Sequence, residues 1–401
     1  MSEVIAPVAK KNRVEILDVV RGFAIFGILI ANIQSWSGYK FISFELMETL
    51  PYYDYNAMMK YLFMFFIDTK FYTLFSILFG IGFYLQFNKQ RDNQDVFMKT
   101  YRRRLLFLMM FGAIHSFFWS GDILLIYGAV GLVFVLFRNL ELKTILKLSI
   151  FLYFSWLIYD IIFAIYFPDF LEYKYTAYKT YPDISPQEVT AVFQNGSFMQ
   201  VLEMNWHNLY YRYVDLIPSG RLTKILSLFL LGFYLMSINY FTTYAKSKKL
   251  LALYFVSGVV ITYIAYHIGG SMASFSHDLT NVAYKALAST GQILLSLAYI
   301  SILTILYEIK TFKKFIHIFS YVGRMSFTSY LMHTLFGYLI FYPFFGGLFG
   351  TMGILQITTL ALFLYLFQIL FSMVWLRYFK FGPFEWIWRC LTYLKLFPIR
   401  K

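Results

Sequence analysis

Long apolar runs recur along this chain from one end to the other, and they restrict the fold more than any other feature. A helix crossing a lipid bilayer needs roughly 20 mostly apolar residues, because only a helix satisfies all its own backbone hydrogen bonds in hydrocarbon. Ten segments qualify as candidates, near residues 16–36, 60–87, 104–119, 122–137, 145–167, 223–242, 250–268, 286–307, 325–346 and 353–377. The third and fourth are short and share a tight turn at Ser120-Gly121. The second is interrupted by the polar "DTK" of Asp68–Lys70, and reads as an interfacial helix followed by a span. Composition agrees: 59% of the 401 residues are hydrophobic and only 14% are charged, too little polar surface for a soluble domain. The predicted fold class is all-α, a polytopic membrane helix bundle of about ten transmembrane helices.

The net charge of +14 invites a nucleic-acid reading, but the placement of the bases opposes it. With a cytoplasmic N-terminus, 25 of the 35 lysines and arginines fall on the cytoplasmic side, dispersed over the N-terminal arm, four loops and the tail after Trp375. That is the positive-inside pattern, with both termini cytoplasmic. The run Arg102–Arg104 either marks topology or recruits an anionic ligand. The N-terminal stretch has a basic flank and a long apolar run without a small-residue cleavage site, so it reads as a retained first helix. Cys390 is the single cysteine, so no intrachain disulfide and no cysteine–histidine metal site is expected. The expected domains are 1–140, 141–221 and 222–401. The tyrosine-rich loop from Pro168 to Gly220 is expected to form amphipathic helices that lie on the outer face or cap a cavity. A further interfacial helix is expected to begin at Pro383, with Trp386, Trp388 and Tyr393 following.

Ionisable groups inside spans are functional candidates. Asp18 and Arg21 are three apart and share a helix face. Asn32 is eleven residues beyond Arg21, about three turns, so it shares that face too. The stripe either lines a polar site or ends in a simple ion pair. Arg104 and His115 repeat the spacing of eleven, and Asp122 follows across the tight turn. A carboxylate there caps the next helix, or orients the imidazole as a base. Ser326, Ser329, Tyr330 and His333 fall at i, i+3, i+4 and i+7, as one polar stripe or as hydroxyl packing between helices. His207 and His277 lie in outer loops, His267 at an outer helix end and His317 in a basic inner loop. Gly80 and Gly82 in "FSILFGIGF" suggest close helix packing. No strand precedes them, so they are not a nucleotide loop.

"LDVVRGFAIFGILIANI", "KFYTLFSILFGIGF", "GAIHSFFWSGDILLIYGAVGL", "GRMSFTSYLMHTLFGYLIFYPFFGGLFG" and "FSMVWLRYFKFGPFEWIWRCLTY" resemble successive blocks of the YeiB-like family of bacterial membrane proteins (DUF418). The blocks run from Leu17 to Tyr393. "LDVVRG" is also similar, more distantly, to the "LDxxRG" of the transmembrane acyltransferase superfamily. That resemblance implies transfer of an acyl group from a cytosolic acyl-CoA to a glycan or lipid acceptor, assisted by a histidine within the bundle. The acyltransferase-3 histidine eleven residues after the motif arginine is Asn32 here, and the loop after Asn32 has no histidine either, so the family's base does not transfer by position; for an enzyme, His115 is the expected replacement.

Three functions are therefore compared. An acyltransferase would use His115 and Asp122 for catalysis, Arg21 and Arg104 for the donor, and Asn32, Ser326, Ser329, Tyr330 and His333 along the acceptor path. It would need acyl-CoA as donor substrate and no metal. A transporter would line a solute or ion path with the same stripes, and a structural subunit would use them to join helices. The expected partners are the lipid bilayer, the donor and acceptor, and a second copy of the chain, with no nucleic acid; the expected location is the bacterial cell membrane.

Overall fold

A computed structural model describes residues 14–166, 186–216, 219–269 and 279–401. Lys10, Lys11, Arg13, His277 and the first part of the tyrosine-rich loop lie outside the described residues. Fourteen helices position the site, named here in chain order. They are α1 Glu15–Trp36, α2 Lys70–Lys89, α3 Gln94–Phe118, α4 Leu124–Phe134, α5 Leu142–Tyr166, α6 Pro186–Asn195 and α7 Phe198–Leu216. Then come α8 Arg221–Ser237, α9 Lys248–Ile268, α10 Leu279–Glu308, α11 Phe319–Arg324, α12 Ser326–Phe341, α13 Ile354–Tyr378 and α14 Pro383–Tyr393. No named strand occurs among the described residues. Six helical segments are long and apolar enough to cross a membrane: α1, Tyr53–Lys89, α5, α9, α10 and α13.

Burial sorts these helices into centre and rim. Two thirds of the apolar window of α1 and of α10 is buried, against 17% for α9. The rim helices expose continuous apolar strips, such as Leu253, Val256 and Val260 on α9 and Phe363, Phe367 and Leu370 on α13. Strips of that kind suit hydrocarbon rather than water. The face where α1 begins is called the near face; α1 ends at the far face.

Two glycine contacts bring backbones together at the centre. A Cβ on Gly22 of α1 would lie 1.9 Å from the Phe319 carbonyl oxygen, and one on Gly323 of α11 would lie 1.8 Å from that of Asp18. Gly80 of α2 and Gly232 of α8 make the same contact, with Cβ positions 1.9 and 2.0 Å from the Phe229 and Ile77 carbonyls. Small residues allow such approach where helices have no hydrophobic drive to associate. Gly80 therefore packs as its sequence suggests. Gly82 has nothing within 4 Å of its Cβ position and faces a cavity.

The "DTK" interruption is a break in the helix, as the sequence suggests. A π-helical turn, Phe63–Ile67, precedes it; Asp68 leaves helical geometry at ψ 125° and Thr69 is left-handed at φ 68°. Phe71, just beyond, packs under Gly27 in the middle of α1 and stacks on Tyr299 of α10. The backbone freed by the break is satisfied by side chains, as burial requires. Tyr299 Oη donates to the Phe66 carbonyl at 2.7 Å, and Lys70 Nζ donates to that of Met64.

At the near face α14 starts at Pro383 as expected and docks on α3. Trp388 Nε1 donates to the Arg104 carbonyl at 2.9 Å, Arg103 Nε donates to that of Thr392, and the Arg104 guanidinium lies 4.1 Å from the Trp388 ring centroid. Part of the Arg102–Arg104 run is thus committed to packing. Glu385 of α14 caps α12, accepting from the Phe327 and Thr328 N–H groups at 2.7 and 3.1 Å. At the far face the described part of the tyrosine-rich loop forms α6 and α7. They close over a cavity that Phe193, Asn205 and Asn208 help to line.

Candidate functional site

Asp122 begins the site, because the turn between α3 and α4 gives it two tasks at once. Its Oδ2 accepts from the Leu125 N–H at 2.9 Å, capping α4, and its Oδ1 lies 2.7 Å from His115 Nδ1. Cap and imidazole partner, alternatives in the sequence, coexist. Both residues are buried, at 4% and 6% exposure. The other ring nitrogen, Nε2, lies 2.8 Å from Thr334 Oγ1 on α12. A carboxylate beside Nδ1 favours the proton there, which leaves Nε2 to accept from the threonine hydroxyl. Asp122, His115 and Thr334 form one buried line of hydrogen bonds.

Thr334 was not singled out from sequence, although it continues a pattern already noted. Ser326, Tyr330 and Thr334 stand at i, i+4 and i+8. Each step of four rotates about 40° around the helix, and the line drifts from the cavity toward His115. Ser326 and Tyr330 line the cavity. Ser329 and His333, the other half of the predicted stripe, face α13 instead. His333 Nε2 lies 3.3 Å from Gln368 Oε1, and Gln368 Nε2 donates to the Ser329 carbonyl at 2.9 Å. The stripe therefore divides between a cavity wall and a helix joint, because Trp36 lies against His333 and covers it.

The cavity has a volume of about 1300 Å³. The first-helix stripe lies on its wall: Asp18, Arg21 and Asn32 all line it. Arg21 pairs with Asp18 at 2.9 Å, so the ion-pair and lining readings hold together. Asn32 lines the cavity without a side-chain hydrogen bond to the described residues. Arg104 lines it at the near end. His115 and Asp122 stand behind this wall: Trp119 and Tyr330, which do line it, have ring centroids 6.0 and 5.3 Å from that of His115. Trp119 in turn packs on Trp36 at 4.6 Å. Nε2 and its partner Thr334 do not line the cavity; these rings separate them from it. Among the described residues no three His, Cys, Asp or Glu side chains converge as metal ligands would.

A second polar cluster, between α5, α8 and α10, was also missed. Asp160, fully buried, pairs with Lys285 at 3.0 Å. Lys224 donates to Ser289 Oγ at 3.1 Å and lies over the Trp156 ring at 4.4 Å. The signal was present, since Asp160 is a carboxylate in the middle of a predicted span and such charges mark sites or joints.

Comparison with known proteins places the chain. A family described as "Protein of unknown function (DUF418)" matches residues 235–395. The uncharacterized protein YxaH of Bacillus subtilis is 31% identical over 414 residues, spanning 98% of both chains. This chain belongs to the YeiB-like DUF418 family. The uncharacterized protein YeiB of Escherichia coli is 28% identical over 404 residues, spanning 94% of this chain and 95% of its own. An uncharacterized 39.9 kDa protein of Bacillus acidopullulyticus is 28% identical over 399 residues, spanning 98% and 97%. No solved structure matches.

Proposed function

We propose that this YeiB-like protein is a membrane acyltransferase of the bacterial cell membrane, moving an acyl group from a cytosolic acyl-CoA to a glycan or lipid acceptor. It crosses the bilayer ten times, by α1, the broken segment ending in α2, α3, α4, α5, α8, α9, α10, α12 and α13, with both termini cytoplasmic. Residues 1–140 carry the base, 141–221 the far-face helices, and 222–401 the C-terminal membrane domain. The observation that carries the reading is one cavity wall bearing Arg21, Asn32, Arg104, Ser326 and Tyr330, backed by the His115–Asp122 pair.

In this reading Arg21 and Arg104 hold anionic parts of the donor at the near end, and Asn32, Ser326 and Tyr330 line the acceptor path. Ser329 and His333 support that path from behind. Asp122 keeps the His115 proton on Nδ1, so Nε2 is free to act as a base. The acceptor's proton passes to Nε2 once the Trp119 and Tyr330 rings turn aside. The acceptor oxygen or nitrogen then attacks the thioester carbonyl, its C–S bond breaks, and the leaving thiolate recovers the proton. The test is acetyl-CoA binding and turnover by the protein in nanodiscs. Saturable binding is expected, with turnover lost in His115→Ala while the fold persists. A folded native protein that binds no acetyl-CoA, propionyl-CoA or longer acyl-CoA overturns the reading.

One observation favours a transporter as the second reading. The break at Asp68 and Thr69 opens on the cavity, and broken helices commonly form solute sites in transporters. Uptake of solute into proteoliposomes without acyl-CoA would select this reading.

A further inference from the structure

The cations around the cavity are not equally committed. At the near end Arg21 is paired with Asp18, and Arg104 is stacked on Trp388. Toward the far face, Arg212 of α7 and Arg221 and Lys224 of α8 line the same cavity. None of these three has a carboxylate within ion-pairing distance among the described residues. Arg212 Nε is buried without a hydrogen-bond partner. Lys224 is only 5% exposed, and its ammonium meets one neutral hydroxyl and the face of Trp156. Arg221 and Lys285 are the cations that act on it, and Asp160, the nearby carboxylate, already pairs with Lys285. A surplus of positive charge in an apolar bundle is costly unless an anion joins it.

The surroundings specify the anion further. Guanidinium groups and an ammonium together match an oxyanion with several acceptor oxygens, and guanidinium forks suit phosphate. α2 begins beside this region, with Thr69 and Tyr72 on the cavity wall and no side chain capping its first N–H groups; such a start also favours negative charge. The neighbouring wall is apolar, with Ile28, Phe71 and Phe75, and would accept a chain attached to the anion.

We propose that Arg212, Arg221 and Lys224 form a binding site for a phosphate group, carried by an amphiphile or free, at the far half of the cavity. The site is separate from the donor end and does not depend on whether the bound molecule is acylated or moved. It is tested without acyl-CoA, so its failure is distinct from failure of the acyltransferase reading. The protein is purified in dodecyl maltoside, which has no phosphate, and titrated calorimetrically with dihexanoyl phosphatidic acid, inorganic phosphate and dihexanoylglycerol.

Phosphatidic acid is expected to bind saturably and dihexanoylglycerol not at all. Lys224→Gln or Arg221→Gln should weaken binding about tenfold or more, as loss of a charge-assisted bond does, while Lys224→Arg holds it within about threefold of the native value. Elution volume and melting temperature show that each variant is folded. Binding of inorganic phosphate with the same sensitivity identifies the head group alone as the ligand; binding of the lipid only adds the apolar wall to the site. Absence of saturable binding by both phosphate probes, or a change below about threefold in both Gln variants, overturns the proposal.

Discussion

Replacing Asp122 separates its structural task from its chemical one. Its carboxylate accepts from the Leu125 N–H at 2.9 Å and sits 2.7 Å from His115 Nδ1, at 4% exposure. Asp122→Ala leaves both donors unpaired. The lost helix cap costs about 1 kcal/mol, and the charge-assisted bond to the imidazole about 1.5–3 kcal/mol. A total near 3 kcal/mol is a large part of a typical folding free energy. Asp122→Asn acts differently. With its oxygen on the Leu125 N–H, its NH2 group faces Nδ1, which must then accept. The imidazole proton moves to Nε2, which donates to Thr334 instead of accepting. The fold should survive at a cost of about 1 kcal/mol, while an Nε2 base is lost. Reversible unfolding in mixed micelles measures the two stabilities, and nitrogen NMR of labelled histidine identifies the tautomer. An Asp122→Ala variant within about 0.5 kcal/mol of native, or an Asn variant with its proton still on Nδ1, would refute the reasoning.

Three other perturbations have defined outcomes. Burial pushes the Glu385 carboxyl above its ordinary range, against the hydrogen bonds from Thr328 and Phe327 that lower it. The folded state therefore holds this proton more tightly, so stability present below the ordinary carboxylate value is lost as pH rises through the raised one. Melting curves between about pH 4 and 7 should show that loss in the native protein and less of it in Glu385→Gln, which keeps an acceptor for the α12 cap. Gly323→Ala puts a methyl 1.8 Å from the Asp18 carbonyl oxygen; α1 and α11 must separate, and a cost of at least about 2–3 kcal/mol is expected in the same unfolding assay. Lys285→Met strands the buried Asp160 and should cost about 3–5 kcal/mol, whereas the double change Lys285→Met with Asp160→Leu should recover most of that.

Periodicity and span length made the bundle legible, because each span must satisfy its own backbone and show apolar side chains to lipid. The Pro383 helix start and the Asp18–Arg21 pair were legible for the same local reason. Contacts between residues distant in sequence were not. "DTK" announces a break, but its place in the bundle is set by Phe71 packing under Gly27 and by Tyr299 taking the Phe66 carbonyl, contacts more than forty residues away in sequence. The serine–histidine stripe on α12 was correct as spacing, yet spacing does not say which neighbour each residue meets. Trp36 covers His333, and α13 takes Ser329. Thr334 escaped notice because a threonine alone in an apolar helix is ordinary; the imidazole opposite, 219 residues earlier, gives it meaning.

The central position of α1 bears on how the protein is made. The Gly22 carbonyl accepts from Tyr365, 343 residues later, and the Asp18 carbonyl packs against Gly323. At ribosomal speeds of about 5–20 residues per second, these partners emerge roughly 15–70 s after α1. During that interval the first helix waits without these late neighbours, with early contacts such as Phe71 against Gly27 already within reach. The local Asp18–Arg21 pair lets it wait by offsetting the two charges within one turn. Assembly must then reopen a place at the centre for helices made last, which makes late C-terminal truncation as damaging to α1 as to the tail itself.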